Sequence, residues 1–98
     1  MDHQPDEIEV QNNQPDHRFE VRVADHLAFL TYRLSGATIS LNHTEVPDAL
    51  RGQGMGDRLA RAALEHAREH GLEVIPNCPF VKAYIKKHPE YESLVAGG

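Results

Sequence analysis

Three glycines and an arginine stand together in the segment Arg51-Gly52-Gln53-Gly54-Met55-Gly56-Asp57. A helical pattern begins inside this segment, so its glycines leave the N–H groups of a helix start open to an approaching anion. Arg51 adds a positive charge and a fork of donors suited to phosphate. A flexible glycine-rich loop is the alternative. The density of glycine at a helix start, next to an arginine, favours an anion-binding loop.

This loop matches neither of the common nucleotide-binding motifs. A P-loop needs Lys-Ser/Thr after its last glycine, and here Asp57-Arg58 follows Gly56. A Rossmann fingerprint needs G-x-G-x-x-G after the first strand of a parallel unit, and this chain has G-x-G-x-G after predicted antiparallel strands. Both motifs are therefore excluded.

Two histidines on a predicted helix are weak candidates for a metal site. His66 and His70 stand four residues apart on a predicted helix, a spacing that can hold zinc. No H-E-x-x-H motif and no clear third ligand accompany them. We predict exposed helix histidines and no metal.

The first half of the chain, which leads into the loop, has the alternating pattern of β-strands. Phe19, Val21 and Val23 alternate with charged residues, which is typical of a half-buried strand. We predict a short strand at 7–11, a turn at 12–16, and strands at 18–23, 27–34 and 38–46. The third is expected to be buried on both faces. Ser35-Gly36 is the predicted hairpin turn between the third and fourth strands.

The second half changes to a helical period. Apolar residues recur at helical spacing from Met55, and Gly71 is placed to end that helix. A strand at 72–75 stops at Pro76, and a second helix at 79–87 begins with a proline. The fold class is α/β (α+β), a mixed and mostly antiparallel five-stranded sheet in the order β-β-β-β-α-β-α. The last strand follows a crossover helix and should pair in parallel with the fourth.

Composition limits the functions open to this chain. It has 98 residues and a net charge of −5, which argues against a dedicated nucleic-acid binder. The charge is uneven: residues 1–50 carry a net of −6 and residues 51–98 a net of +1. The second half is therefore expected to hold any anion site. A single cysteine cannot form an internal disulfide, which favours a reducing compartment.

The predicted organisation is one domain at 7–95 after a disordered segment at 1–6. The acidic start does not resemble a signal peptide, and no apolar run is long enough for a membrane span. We expect a cytoplasmic monomer or weak homodimer with no membrane or nucleic-acid partner.

Several segments together resemble a known family. Arg51-x-x-Gly54-x-Gly56 resembles the Q/R-x-x-G-x-G/A motif of the GNAT superfamily of N-acetyltransferases. The segments 43–47, 76–81 and 84–91 resemble its small stand-alone YjdJ-type subfamily. The similarity covers residues 7–95. It implies a minimal GNAT fold, with the fourth and fifth strands splayed apart to admit CoA.

The resemblance implies a role for each matching residue. The 51–57 loop would bind the pyrophosphate of acetyl-CoA through Arg51, Gly52, Gln53, Gly54, Met55, Gly56 and Asp57. Val46 and Asn77 would hold the pantetheine arm, and Tyr84 would protonate the departing CoA thiolate. The alternative for Tyr84 is a core aromatic residue. Cys78, at a helix start that favours a thiolate, would lie beside the acetyl group.

The catalytic residues leave alternatives open. Cys78 either takes the acetyl group transiently, lines the pocket, or packs in the core as lone cysteines often do. His43 and Glu45 share one face of an extended strand and are candidates for the base that deprotonates the acceptor amine. The predicted function is acetyl transfer from acetyl-CoA to an amine: a protein lysine, a polyamine or a small metabolite. The alternative is a non-catalytic acyl-CoA-binding or interaction module.

Overall fold

A computed structural model describes residues 9–97, in which five strands form one sheet with two helices. The strands are β1 (Gln11–Asn13), β2 (Arg18–Val23), β3 (His26–Ser35), β4 (Thr38–Glu45) and β5 (Glu73–Pro76). The helices are α1 (Met55–Glu69) and α2 (Pro79–Lys87), and short 3-10 segments span Asp48–Leu50 and Pro89–Leu94. The segment 1–6, predicted to be disordered, lies outside the described residues.

The sheet has the predicted topology. Its strand order is β1-β2-β3-β4-β5, antiparallel throughout except for the parallel pair β4 and β5. This confirms the mixed, mostly antiparallel sheet and the α/β fold class. The parallel pair follows from the connection, because a crossover helix returns the chain to the same end of the sheet.

Three local predictions need correction. β1 spans Gln11–Asn13, whereas a strand at 7–11 and a turn at 12–16 were predicted; residues 9 and 10 are not in a strand. Asn12 accepts a 2.6 Å hydrogen bond from Tyr32 Oη and Asn13 bonds to Glu20, which holds both residues in the strand pair. The β3–β4 turn is Gly36-Ala37, one residue later than Ser35-Gly36, since Ser35 still pairs with Thr38 and Gly36 takes the positive φ of 59°. The 3-10 segment after Pro89 was not foreseen.

Both helices pack on one face of the sheet. Ala28, Leu30 and Tyr32 of β3 are buried against them, whereas Leu27 and Phe29 on the other face are only half-buried. The prediction that β3 is buried on both faces was therefore wrong, because no helix among residues 9–97 covers the second face. We call this second face the open face of the sheet.

A β-bulge in β4 changes which residues point toward the helices. Leu41 pairs with Tyr32 and His43 with Thr31, so Asn42 is an extra residue without a partner in β3. Ile39 and Leu41 lie on the helix side, as predicted. Past the bulge the alternation is reversed: Thr44 pairs with buried Leu30 on the helix side, and His43 lies on the open face.

Glycines define both ends of α1. Gly54 precedes the helix with φ of 75°, and Gly71 follows it with φ of 65°. The Leu72 N–H donates to Ala67 O at 2.9 Å, and the Gly71 N–H donates to Arg68 O, which together form a Schellman motif. The predicted role of Gly71 in ending the helix is confirmed.

β4 and β5 separate halfway along β4. They pair from Thr38–Glu73 to Leu41–Pro76, after which β4 continues to Glu45 and the chain leaves β5 for α2. The Cys78 N–H donates to Leu41 O at 3.0 Å, which closes the paired region. The β5-facing edge of β4 beyond Leu41 has no strand beside it within residues 9–97. This opening lies next to the start of both helices.

No helix within residues 9–97 has the length and apolar character needed to span a membrane.

Candidate active site

A cleft of about 420 Å³ lies where the end of β4, the glycine-rich loop and the starts of α1 and α2 meet. Its lining residues come from all four of these segments and are Thr44, Val46, Arg51, Gly52, Gly54, Met55, Gly56, Asp57 and Phe80. Most of the loop and Val46, predicted from the sequence to hold a ligand, thus share one concave surface. Gln53, Asn77 and Cys78 lie outside this lining.

The loop presents a continuous row of unpaired backbone donors. In residues 9–97, no N–H group from Gly52 to Asp57 donates to a backbone carbonyl. Backbone hydrogen bonding of the helix begins at Arg58, whose N–H donates to Gly54 O at 3.1 Å. The row lies at the positive end of the α1 dipole, and such N–H groups bind anions well. We call it the N–H row.

Two side chains of the loop, Arg51 and Gln53, contact the preceding 3-10 segment. Arg51 Nε lies 3.2 Å from an Asp48 carboxylate oxygen, with 73% of the Arg51 side chain exposed. A pair this exposed is weak, so the guanidinium remains available to a stronger anion such as a phosphate. Gln53 Nε2 donates to Ala49 O at 3.3 Å, which turns this side chain back onto the preceding 3-10 segment.

The last glycine of the motif has a neighbour that the sequence analysis did not identify. A Cβ on Gly56 would lie 2.6 Å from Phe80 Cζ, too close for two carbon atoms. Gly56 is buried within α1 and its φ is not positive, so its backbone does not require glycine. The ring of Phe80 therefore explains Gly56, whereas Gly52 and Gly54 supply positive φ values of 78° and 75°.

Cys78 lies at the helix side of the opening between β4 and β5. It immediately precedes α2, only 4% of it is exposed, and its Sγ is 3.2 Å from Thr44 Oγ1. Burial alone would raise the pKa of the thiol. The Thr44 hydroxyl and the backbone N–H groups of Val81 and Phe80 outweigh burial, and the pKa lies below its ordinary value.

His43 and Glu45, the candidate bases, lie next to each other on one face of β4. His43 Nε2 lies 3.0 Å from Glu45 Oε1, and both side chains are largely exposed. Because of the bulge, they lie on the open face, on the opposite side of β4 from Thr44. Phe29 is beside them, with its ring 6.2 Å from that of His43. The structure does not bring this pair into the cleft.

Tyr84 and Asn77 also lie apart from the cleft lining. Tyr84 is buried in the core, with its ring stacked on His88 at 4.2 Å. Burial raises the pKa of Tyr84, and the carboxylate of Asp57 adds to this while Arg61 opposes it. Asn77 Nδ2 donates to Asn42 Oδ1 at 2.9 Å, which ties the start of the α2 connection to the bulged residue of β4.

The two helix histidines stack on each other, and only His70 is exposed as predicted; His66 is half-buried because its ring packs on Phe19. The rings of His66 and His70 stack at 4.1 Å, and His70 Nδ1 lies 2.9 Å from His66 O. Within the part of the chain that the structure describes, no three His, Cys, Asp or Glu side chains are grouped to hold a metal ion.

Comparison with known proteins identifies the family. The family model for GCN5-related N-acetyltransferases matches residues 18–94, which include all of β2 to α2 and the cleft. The chain belongs to the GCN5-related N-acetyltransferase family. The superfamily assignment made from the loop and its neighbouring segments is confirmed, and the YjdJ-type subfamily stays a prediction.

Proteins of similar sequence and structure agree with this family. The chain is 38% identical to human Protein NATD1 over 85 residues, covering 84% of this chain and 75% of the human protein. It is 36% identical to NATD1 of Xenopus tropicalis, covering 84% of this chain and 78% of that protein. A solution NMR structure of a GCN5-like protein from Staphylococcus aureus superposes with a TM-score of 0.71 at 34% identity, covering 92% of this chain and 89% of that one.

Sequence reasoning missed two residues of this N-acetyltransferase-family cleft. Thr44 was missed because simple alternation places its side chain on the other face of β4 from Leu41. Only the bulge turns it to the helix side, toward Cys78. Phe80 was hidden because an aromatic residue near a helix start is usually core. The signal that could have found it is Gly56, a glycine inside a helical pattern, which suggests close approach by another group.

Proposed function

We propose that this chain is an acetyl-CoA-dependent N-acetyltransferase that transfers an acetyl group to an amine. Membership of the family supports acyl transfer as the class of reaction. The observation that carries the proposal is the N–H row, which stands at the start of a 15-residue helix beside the opening between β4 and β5. An elongated ligand with a charged phosphate end and a narrow reactive arm fits those two features together.

The residues of the cleft fit CoA in a definite order. The N–H row and Arg51 would hold the pyrophosphate, since both offer donors to phosphate oxygens. The unpartnered edge of β4 beyond Leu41 would hydrogen-bond the amides of the pantetheine arm, with Val46 and Asn77 beside it. Bound there, acetyl-CoA supplies an activated acetyl thioester. No part of this assignment requires a metal.

In a direct transfer, the chain must remove a proton from the acceptor and supply one to the leaving group. His43 and Glu45 would take the proton of the ammonium group on the open face, so that the neutral amine can form its bond to the acetyl carbon as the carbon–sulfur bond breaks. The gap between β4 and β5 beyond Leu41 would give the amine its route from the open face to the cleft. Tyr84, whose raised pKa keeps its proton, would protonate the CoA thiolate.

A two-step transfer uses Cys78. Its thiolate Sγ would form a bond to the acetyl carbon as the carbon–sulfur bond of acetyl-CoA breaks, and Tyr84 would protonate the departing CoA sulfur. The amine, after giving its proton to His43 and Glu45, would then form its bond to the acetyl carbon as the carbon–sulfur bond to Cys78 breaks. The lowered pKa of Cys78 and its contact with Thr44 favour the thiolate that this step needs. Cys78→Ser decides between the routes: loss of an acetylated protein species together with loss of turnover supports two steps, and unchanged turnover supports direct transfer.

Tyr84→Phe tests whether Tyr84 is the acid that protonates the CoA thiolate. The variant keeps the ring that stacks on His88, so the fold should persist. If Tyr84 protonates the leaving thiolate, kcat falls about 10²-fold while the Kd for CoA is unchanged. Unchanged kcat would make Tyr84 a core residue only.

The acceptor is proposed to be a cationic amine. Glu45 is exposed beside Phe29 on the open face, where its carboxylate would attract an ammonium group. Protein lysines, polyamines and small amines share this chemistry. We further propose that the chain acts in the cytoplasm as a monomer or weak homodimer.

One observation favours the second candidate, a non-catalytic acyl-CoA-binding module. Tyr84 is buried outside the cleft lining, and the His43–Glu45 pair lies on the opposite face of the sheet. A module of this kind would keep the N–H row and need none of these groups for chemistry.

The experiment that separates the two is calorimetry with CoA and acetyl-CoA, followed by mass spectrometry of amines incubated with acetyl-CoA and the chain. Binding together with acetylated amine supports the enzyme. Binding without any acetylated product supports the module. Absence of binding at millimolar ligand contradicts both.

A further inference from the structure

The stability of the fold does not explain why the ring of Phe80 lies against Gly56. Gly56 is the second residue of α1, a position where the helix backbone accepts alanine as well as glycine. Gly56 gains nothing from its own backbone conformation, since its φ is not positive. The ring of Phe80 occupies the space that a Cβ would need, at 2.6 Å from Cζ and 2.9 Å from Cε2. The glycine therefore serves the placement of this ring.

The placement of the ring does not serve the core either. Phe80 is 40% exposed, one of the few large apolar side chains in the described residues left so open to water. It lies in the wall of the cleft rather than in the core cluster. A half-exposed ring gains only part of the burial energy of a core phenylalanine, and apolar side chains in the wall of a cleft are typical of ligand sites.

Phe80 also lies beside the N–H row. Its ring contacts Gly56 and forms part of the cleft wall, and Thr44 lines the same cleft. Thr44 stands on β4 beyond Leu41, where β4 and β5 have separated. A ligand that runs from the N–H row toward this opening would pass the ring.

We propose that Phe80 is a positioning residue for the pantetheine arm of CoA, and that Gly56 is glycine so that the ring can lie there. This rests on the proposed function. The apolar ring would pack on the methyl-bearing part of the arm, while the charged pyrophosphate takes the backbone donors. Because the φ of Gly56 is not positive, the space occupied by the Phe80 ring is what a larger residue here would disturb.

The test compares two ligands by calorimetry. One is CoA, and the other is 3′-phosphoadenosine 5′-diphosphate, which has the pyrophosphate and lacks the pantetheine arm. For Phe80→Ala we expect the Kd for CoA to rise about tenfold, the scale of one lost apolar side-chain contact. The Kd for the fragment should change less than about twofold. Phe80→Tyr, which keeps the ring, should restore CoA binding.

Gly56→Ala provides the second arm. The new methyl group should displace the ring and weaken CoA binding as Phe80→Ala does, and the double variant should be no worse than either single variant. Leu34→Ala is the matched control, since Leu34 is an apolar residue 52% exposed at the far end of the sheet. It should leave both ligands unaffected.

The outcomes are distinguishable. Equal weakening of CoA and the fragment in Phe80→Ala, or no weakening of CoA, would overturn the role of Phe80 while leaving the proposed function intact. Additive effects of Gly56→Ala and Phe80→Ala would overturn the link between the two residues. Failure of the unmodified chain to bind either ligand would remove the proposed function itself and this inference with it.

Discussion

Thr44 Oγ1 and Cys78 Sγ lie 3.2 Å apart at the point where β4 and β5 separate. The contact joins two segments 34 residues apart in the chain. It depends on the bulge at Asn42, because without that extra residue Thr44 would point to the open face. The bulge thus places a hydroxyl against the thiol and sends His43 and Glu45 to the other side of the same strand.

Replacing Thr44 by valine should reduce the reactivity of Cys78. The hydroxyl stabilises the thiolate, so its removal is expected to raise the pKa of Cys78 from its lowered position. The rate of alkylation by iodoacetamide at pH 7.5 should fall several-fold, and its pH profile should move to higher pH. Thr31→Val on the open face is the control. An unmoved profile would show that Thr44 does not stabilise the thiolate.

Gly54→Ala and Gly71→Ala form a matched pair at the two ends of α1. Both glycines have positive φ, and an added Cβ would meet nothing within 4 Å. Each variant should lose about 1–2 kcal/mol of unfolding free energy, measured by chemical denaturation. Only Gly54→Ala should weaken CoA binding, because Gly71 lies at the other end of the helix. Equal loss of CoA affinity in both variants would show that the N–H row does not bind CoA.

Glu45→Gln should lower turnover without changing the affinity for CoA. The substitution removes the charge that pairs with His43 at 3.0 Å and that attracts a cationic acceptor. We expect kcat/KM for the amine to fall about 10²-fold and the Kd for CoA to stay constant. Glu73→Gln, exposed at the start of β5, is the control. An unchanged kcat/KM would exclude Glu45 from the acceptor side.

The stability of the fold should decrease in mild acid because of His66. Burial lowers the pKa of His66 below its ordinary value of 6.5, and the neighbouring His70 lowers it further. The unfolded chain then binds a proton more readily than the folded chain. This stabilising contribution is therefore fully present above pH 6.5 and is lost as pH falls through the lowered pKa.

His66→Phe tests this pH dependence. The variant keeps a ring between Phe19 and His70 and removes the titrating group. Its unfolding free energy, measured in denaturant from pH 7.5 to 5, should decline less steeply than that of the original chain. His26→Asn at an exposed position should decline as the original chain does. Parallel plots of unfolding free energy against pH for all three proteins would show that His66 does not cause the loss of stability in mild acid.

Most of the architecture was predictable because strong local patterns set it. The period-2 alternation of Phe19, Val21 and Val23 predicted β2, and Gly71 predicted the end of α1. The parallel pairing of β4 with β5 followed from the crossover helix. The segment after Pro89 was missed because its anchors are distant: Tyr91 Oη donates to Glu65 at 2.6 Å, and Ala96 N–H donates to Val74 O.

The candidate site was predictable only in part. The spacing of Gly52, Gly54 and Gly56 indicated the loop, yet it gave all three glycines the same role. The separate reason for Gly56 depends on Phe80, which lies 24 positions later in the sequence. The faces of His43 and Thr44 depend on a bulge that no local pattern marks, since Asn42 is an ordinary polar residue in a strand.

The central claim is that the N–H row binds the pyrophosphate of CoA, and amide NMR tests it most directly. In a ¹⁵N-labelled sample titrated with CoA, the amide signals of residues 52–57 should move furthest, as their free N–H groups gain charged acceptors. Signals of β1, at the opposite edge of the sheet from β5, should move least. If the 52–57 signals stay in place at millimolar CoA, or the largest shifts fall elsewhere, the account is contradicted.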